Sequence, residues 1–451
     1  MKVSYETDLY ARIRQELDAV AMIDCHEHLQ REREFPTGDD VHVGLLFLHY
    51  APDDLIAAGM PMEEMARVRP NLLLFPNPEA DPSLSPEARW RLLEPWYRKA
   101  WNTGYCEALR IAIRDLYGID EFSESTMTKL TEAMRGEIRP GFTRKVFDKA
   151  GIDFAMQSPL GPGLVFNPDY NFDCFICDMC DAFTGFPIPE LAQQADMDIL
   201  CLDDYLKVID FYFERDARCA CAFKVARAYD RTLFWEDVPK NAVENTFNRL
   251  LAFNDRPDRR DIQALEDFIL HYLCRKCGEY DLRMKFHTGI HGGNGNIITN
   301  SRAALMANLF MKYPKTGFDV FHISYPYQEE LAVLAKNFPN VTVDFCWMWI
   351  INPSAARRAL SDMLDAVPAN KIHGFGGDYI FVEGTYGHAV IARREIARVL
   401  CEKVEEGRFS EAYAVELGRM LLRDNALDNF GLEKRRAAYR PRAGEDPPPA
   451  T

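Results

Sequence analysis

Short apolar runs rich in β-branched and aromatic residues alternate with longer runs of helical period along most of this chain. The first apolar run covers 22–25. Seven more follow from Gly151 onward, at 152–156, 199–202, 219–225, 283–287, 318–323, 341–346 and 372–375, each separated from the next by chain enough for a helix. Strands that alternate with helices pair in parallel, because each crossover helix returns the chain to the sheet in the same direction. Eight of them predict an α/β fold of the closed (β/α)8 TIM-barrel type, whose chemistry collects at the C-terminal strand ends.

About 120 residues separate the first two runs, which exceeds any ordinary loop. Within that gap 85–135 carries periodic apolar and charged positions and predicts two or three amphipathic helices. The expected organisation is a barrel built from 1–29 and 140–438, with 30–139 as a helical insertion over its mouth. That insertion either shapes a substrate pocket or serves as a dimerisation element. The Pro-rich, charged 439–451 forms a flexible tail.

Composition narrows the partners. An apolar fraction of 47% with 27% charged residues is that of an ordinary soluble globular protein. With 69 acidic against 53 basic residues the net charge is −16, which argues against nucleic acid or an anionic membrane and for a small-molecule substrate. No apolar run reaches the roughly 20 residues of a membrane span. Residues 1–17 are charged and amphipathic with no signal-peptide core, so a cytoplasmic protein is expected, one that assembles as a homo-oligomer. The 12 cysteines do not predict a disulfide framework in a chain this long. Cys174, Cys177 and Cys180, and again Cys274 and Cys277, have the local spacing of metal ligands. No knuckle glycines follow the first set, and the second lies three residues apart in a helical run, so structural thiols are expected.

Candidate chemistry begins at the first run. His26 and His28 sit two residues apart behind an apolar strand, where side chains at i and i+2 leave one face and can converge on a cation. Further along, Lys224, His287 and His322 end the fourth, fifth and sixth strands, and Asp378 follows the eighth. Each alone has an ordinary structural explanation. Six such positions in strand order, all at one barrel mouth, describe a site.

That order, His-x-His, Lys, His, His, Asp, resembles the metal-dependent amidohydrolase superfamily over most of the chain. Local wording agrees at 286–289 (FHTG), 321–326 (FHISYP) and 375–379 (FGGDY), and 422–432 resembles the closing helix of the small-hydrolase and decarboxylase branch. Residues 102–122, Trp347 with Trp349, and 388–400 are instead similar to uronate isomerases. Those enzymes carry Asp-Ser-Arg at the eighth strand, whereas here Asp378 is followed by Tyr379-Ile380-Phe381. The resemblance implies one divalent cation, zinc by preference with manganese or iron as alternatives, held by His26, His28, Asp378 and His287. It implies that Asp378 is also the proton shuttle for a metal-activated water and that His322 steers the water or polarises the substrate. Lys224 either becomes carboxylated and bridges two cations, as in two-metal relatives, or acts as an ammonium. One metal is preferred, because nothing before Met22 resembles the flanking strands of many two-metal members.

The glycine-rich 291–296 either closes on a ligand or is a plain turn. It lacks the Gly-Lys-Ser/Thr ending of a P-loop and precedes a helix that Asn300 or Ser301 would cap. Trp347 and Trp349 either stack on a ring or fill the barrel rim. Hydrolysis of a small polar substrate is the expected activity. The alternatives are sugar-acid isomerisation, non-oxidative decarboxylation, and a barrel that binds metal without catalysis.

Overall fold

A computed structural model describes residues 7–73, 75–159, 165–167, 174–252 and 257–439. The expected tail at 439–451 lies outside them except for Tyr439, the last residue of the helix Leu432–Tyr439. Two compact units make up the chain. The first comprises Met1–Gln157, Ile290–Asn296 and Asp344–Asn425, the second Ser158–Gly289, Ile297–Val343 and Ala426–Thr451.

In the first unit β1 (Met22–Glu27) pairs in parallel with β2 (Ile152–Gln157), and the register shifts between Asp24 and Glu27. Every residue of β1 is buried. Arg393, on the long helix Val382–Glu405, donates to the carbonyls of Leu17, Val20, Ala150 and Gly151, so one guanidinium satisfies the chain ends that lead into both strands. Residues 30–139 all fall in this unit, and among the described ones they form helices and turns with no strand. Local signals account for the two longest. Ser85 caps Pro86–Ala100 through the Ala88 amide, and Thr103 caps Gly104–Tyr117, which Gly118 ends at φ +67°. Gly104–Tyr117 lies against Val382–Glu405 so closely that a Cβ on Gly387 would stand 2.1 Å from the Ala108 carbonyl oxygen.

The second unit carries β3 (Phe175–Cys177), β4 (Met179–Cys180), β5 (Phe223–Val225), β6 (Met284–Phe286), β7 (Phe318–Val320) and most of β8 (Val341–Asp344). From β4 to β8 each strand pairs in parallel with the next, Met179 with Phe223, then Met284, Phe318 and Val341. A ninth short strand, β9 (Ile372–His373), belongs to the first unit, where Phe345 donates to the His373 carbonyl at 2.9 Å.

The strand expected at 199–202 is not formed: Leu202 opens the helix Leu202–Asp216, whose Tyr205, Val208, Ile209, Tyr212 and Phe213 are buried, while Leu200 is exposed. Amphipathic period outweighs the four-residue apolar run there, and the strand residues lie upstream at β3 and β4, within the cysteine-spaced segment. Cys274 and Cys277 share the helix Arg259–Glu279, as expected. No helix among the described residues is long and apolar enough to cross a membrane.

Candidate metal centre

At the end of β1 the rings of His26 and His28 meet. Their Nε2 atoms are 3.1 Å apart, and Asp378 Oδ1 stands 3.3 Å from the first and 3.6 Å from the second. Donors bound at about 2.0–2.1 Å around one tetrahedral cation stand about 3.3 Å apart, so these three separations fit a zinc-sized ion as they stand. His26 and Asp378 are buried and His28 is partly open.

Asp378 adopts a left-handed backbone, φ +59°, that a non-glycine residue takes only when its surroundings hold it there. Those surroundings are a set of buried hydrogen bonds along the turn. The Gly377 amide donates to Asp24 Oδ1 at 3.0 Å, the Asp378 amide to the His26 carbonyl at 2.8 Å, and the Tyr379 amide to Glu27 Oε2 at 2.7 Å. The His28 amide donates to the Tyr379 carbonyl at 3.0 Å, and His388 Nδ1 lies 3.2 Å from the Gly377 carbonyl. Burial pulls the His388 ring down to about 3, so it is neutral and donates through Nδ1. Glu27 also accepts the Thr385 hydroxyl at 2.7 Å. Burial, with the neighbouring Asp24 charge second, pushes the Glu27 carboxyl well above the usual carboxylate range. Asp24, Glu27, Thr385 and His388 are absent from the residues expected from spacing. Two acids inside a six-residue buried strand are the signal for the first pair.

Around this turn the aromatic rings are packed rather than open. Trp347 stacks on Tyr50 at 4.3 Å, Tyr50 meets Tyr379 edge-on at 5.1 Å, and Tyr105 lies parallel to Tyr50 at 5.3 Å. Trp349 stacks on Phe345 and donates to the Gly374 carbonyl, which makes it a core residue. Leu29 and Ile380 help to line a narrow cavity of about 30 Å³ with Phe35, Leu45, Phe142 and Glu383. In the 291–296 loop, Gly293 and Asn294 are fastened to Asp53, at 2.8 Å and 3.1 Å.

The remaining candidates lie in the second unit. His322 Nε2 is 3.1 Å from His287 Nδ1, and Tyr229 packs 4.7 Å from the His287 ring. His322, Ile323 and Ser324 are three successive left-handed residues, which is why β7 stops at Val320 although the apolar run continues. A Cβ on Gly289 would stand 2.3 Å from the Tyr325 carbonyl oxygen, so only glycine admits that approach. Lys224 Nζ stands 4.2 Å over the Phe321 ring. Behind it the fully buried Lys285 pairs with Asp178 at 2.9 Å, which also accepts Ser158 and Cys221. Cys177 donates to the Asp178 carbonyl, and none of the 12 cysteines is in a disulfide. Ser301 donates to the carbonyls of Gly289 and Ile298 from within a 3-10 turn, so it does not cap a helix as expected.

Whole-chain likeness extends to solved structures. Glucuronate isomerase from Caulobacter crescentus superposes with a TM-score of 0.76 at 16% identity, over 96% of this chain and 95% of that one. Uronate isomerase from Thermotoga maritima gives 0.73 at 13%, over 94% and 97%. At such identities the likeness is one of fold. Among curated proteins, fluG of Emericella nidulans is 26% identical over 204 residues, 45% of this chain. The chain spans only 22% of the length of that relative. The amidohydrolase family model matches residues 207–432, a stretch that takes in Lys224, His287, His322 and Asp378 and amounts to half of the sequence: the chain belongs to the amidohydrolase family.

Proposed function

We propose that this protein is a metal-dependent hydrolase of a small polar substrate, built on a (β/α)8 barrel with 30–139 inserted after the first strand. The observation that carries the reading is the convergence of His26 Nε2, His28 Nε2 and Asp378 Oδ1 at the separations of one coordination sphere. His26, His28 and Asp378 hold the cation, with His287 as the further ligand that the family resemblance implies. A bound divalent cation supplies Lewis acidity and brings the acidity of water close to neutral pH.

Asp378 is the proton carrier. It takes a proton from the attacking water as the new carbon–oxygen bond forms and returns it to the leaving group as the old bond breaks, so no external base is consumed. A carboxylate suits both roles, because one oxygen can face the cation while the other faces the water. His322 orients the electrophilic oxygen of the substrate and Lys224 supplies positive charge, in the roles that the same resemblance implies. His388, its ring neutral and bonded to the Gly377 carbonyl, serves the turn. The parallel order of β4 to β8 supports the barrel, the negative net charge supports a small-molecule substrate over nucleic acid, and the protein is proposed to act as a homo-oligomer in the cytoplasm.

A second reading, isomerisation of a sugar acid, is favoured by the extent of the fold likeness, which takes in nearly the whole chain and nearly the whole of each isomerase. The Tyr379-Ile380 sequence after Asp378 favours hydrolysis, since it offers no guanidinium for a carboxylate at that position. One experiment separates them. Metal-loaded protein is incubated with uronates, lactones, amides and aromatic carboxylates, with and without a chelator. Chelator-sensitive release of acid or amine from a lactone or amide supports the hydrolase. Interconversion of an aldehyde and a ketone form of a uronate replaces it by the isomerase, and carbon dioxide release by a decarboxylase.

A further inference from the structure

We infer that Glu27 is the positioning residue of this centre: its carboxyl holds the turn that carries Asp378 so that Oδ1 stands where the two imidazoles meet. The inference rests on the reading of His26, His28 and Asp378 as ligands of one cation. Glu27 lies between the two histidines in sequence, yet its side chain bonds to the turn and the long helix. Oε2 accepts the Tyr379 amide at 2.7 Å, the first peptide after Asp378, and Oε1 accepts the Thr385 hydroxyl at 2.7 Å. One buried carboxyl therefore ties strand β1, the turn and the helix Val382–Glu405 together. Gly377 completes the device from the other side. A Cβ there would lie 1.8 Å from Glu27 Oε1, so the place a side chain would take is the place the carboxyl occupies.

Asp378 needs such support because its backbone is left-handed and a carboxylate there has easier conformations to adopt. Among the residues that bond to the turn, Asp24 divides one oxygen between the amides of Gly377 and His26, and His388 holds a carbonyl on the near side of Asp378. Glu27 alone of these three side chains fixes the peptide that directly follows Asp378, and without it that flank keeps only the bond of the His28 amide to the Tyr379 carbonyl, one peptide further on. Groups that orient metal ligands from behind matter to affinity nearly as much as the ligands do.

The test uses cobalt(II) titrated into chelator-stripped full-length protein, followed by the visible absorption of the ion and by competition with a chelating dye. Wild type binds one equivalent. Glu27→Ala should weaken binding by about 10–100-fold and alter the band shape, as loss of a ligand-orienting group does. Glu27→Gln keeps an oxygen for the Tyr379 amide and an amide for the Thr385 hydroxyl, and should bind close to wild type. If Glu27→Ala does not fold, Thr385→Val, which frees the carboxyl from the helix, should weaken cobalt binding in the same direction, and wild-type affinity there overturns the proposal. Wild-type affinity and bands in a folded Glu27→Ala overturn it as well, as does a Gln variant as weak as Ala. A wild type that binds no cobalt sinks the ligand assignment itself, a failure distinct from the other three.

Discussion

Replacing Gly377 with alanine isolates the geometry behind Asp378 without removing any polar group. The new methyl carbon would begin 1.8 Å from Glu27 Oε1 and 3.0 Å from Asp24 Oδ2. The Glu27 carboxyl must then retreat by more than 1 Å to reach a normal carbon–oxygen contact of about 3.2 Å, which breaks its bonds to Tyr379 and Thr385. Forcing a methyl into a packed interior costs about 1–3 kcal/mol. Two buried hydrogen bonds add about 1 kcal/mol each, so the variant should lose about 3–5 kcal/mol of stability. Asp378 should follow the displaced turn, and cobalt affinity should fall with it. Gly136→Ala is the control, because a Cβ there meets nothing within 4 Å and the position lies in the helix Met127–Glu137, so it should gain about 0.5–1 kcal/mol. The assay is urea unfolding of the apo proteins with cobalt titration alongside. The two compact units need not unfold together, so the quantity compared is the transition that each variant moves. A Gly377→Ala protein as stable as wild type, with unchanged cobalt affinity, would refute the argument.

Other outcomes follow from the same geometry. Asp378→Asn keeps an oxygen for the cation but loses the base, so metal should be largely retained while turnover on an identified substrate falls by about 10²–10⁴-fold; full activity would contradict the proton-shuttle role. His322→Ala should keep the metal and lose less activity than Asp378→Asn, measured by the same metal analysis and rate. Burial, then the charges of Arg89 and Arg135, pulls the His42 ring from 6.5 to about 3, and its Nδ1 accepts the Gly44 amide at 3.0 Å. The unfolded chain therefore takes up a proton that the folded chain refuses, so this contribution to stability is complete above pH 6.5 and is lost as pH falls toward about 3. His42→Asn, which can still cap Gly44, should flatten the decline of the unfolding midpoint between pH 7.5 and pH 5, and an unchanged slope would contradict it. Cys177→Ser should leave metal content unchanged, since that thiol donates to the Asp178 carbonyl as a hydroxyl can. Loss of iron or zinc in that variant would show a ligand instead.

Much of the centre was legible because its logic is local. His26 and His28 converge through strand spacing alone, and Asp378 is marked by the two glycines before it, of which Gly377 permits the close approach of Glu27 on β1 and Gly376 that of Cys346. The helices of 85–135 were legible from their period. What escaped depends on tertiary contact. Glu27 and Asp24 read as polar residues of a buried strand until the turn 352 and 353 residues downstream is folded against them. The segment at 199–202 has the composition of a strand and the phase of a helix start, and only the buried face of Leu202–Asp216 decides between them. The apolar run at 318–323 overstates β7 for a different reason, since composition carries no trace of three successive left-handed residues.

If His26, His28 and Asp378 form one cation site, the metal content of the protein depends on both histidines. Elemental analysis of the purified protein beside His26→Ala and His28→Ala tests it most directly. About one equivalent of a divalent transition metal is expected in the wild type, and its loss from both variants while their helical circular dichroism is preserved. A wild type that takes up no such metal when supplied, or variants that retain it undiminished, would show that these three residues do not form a cation site.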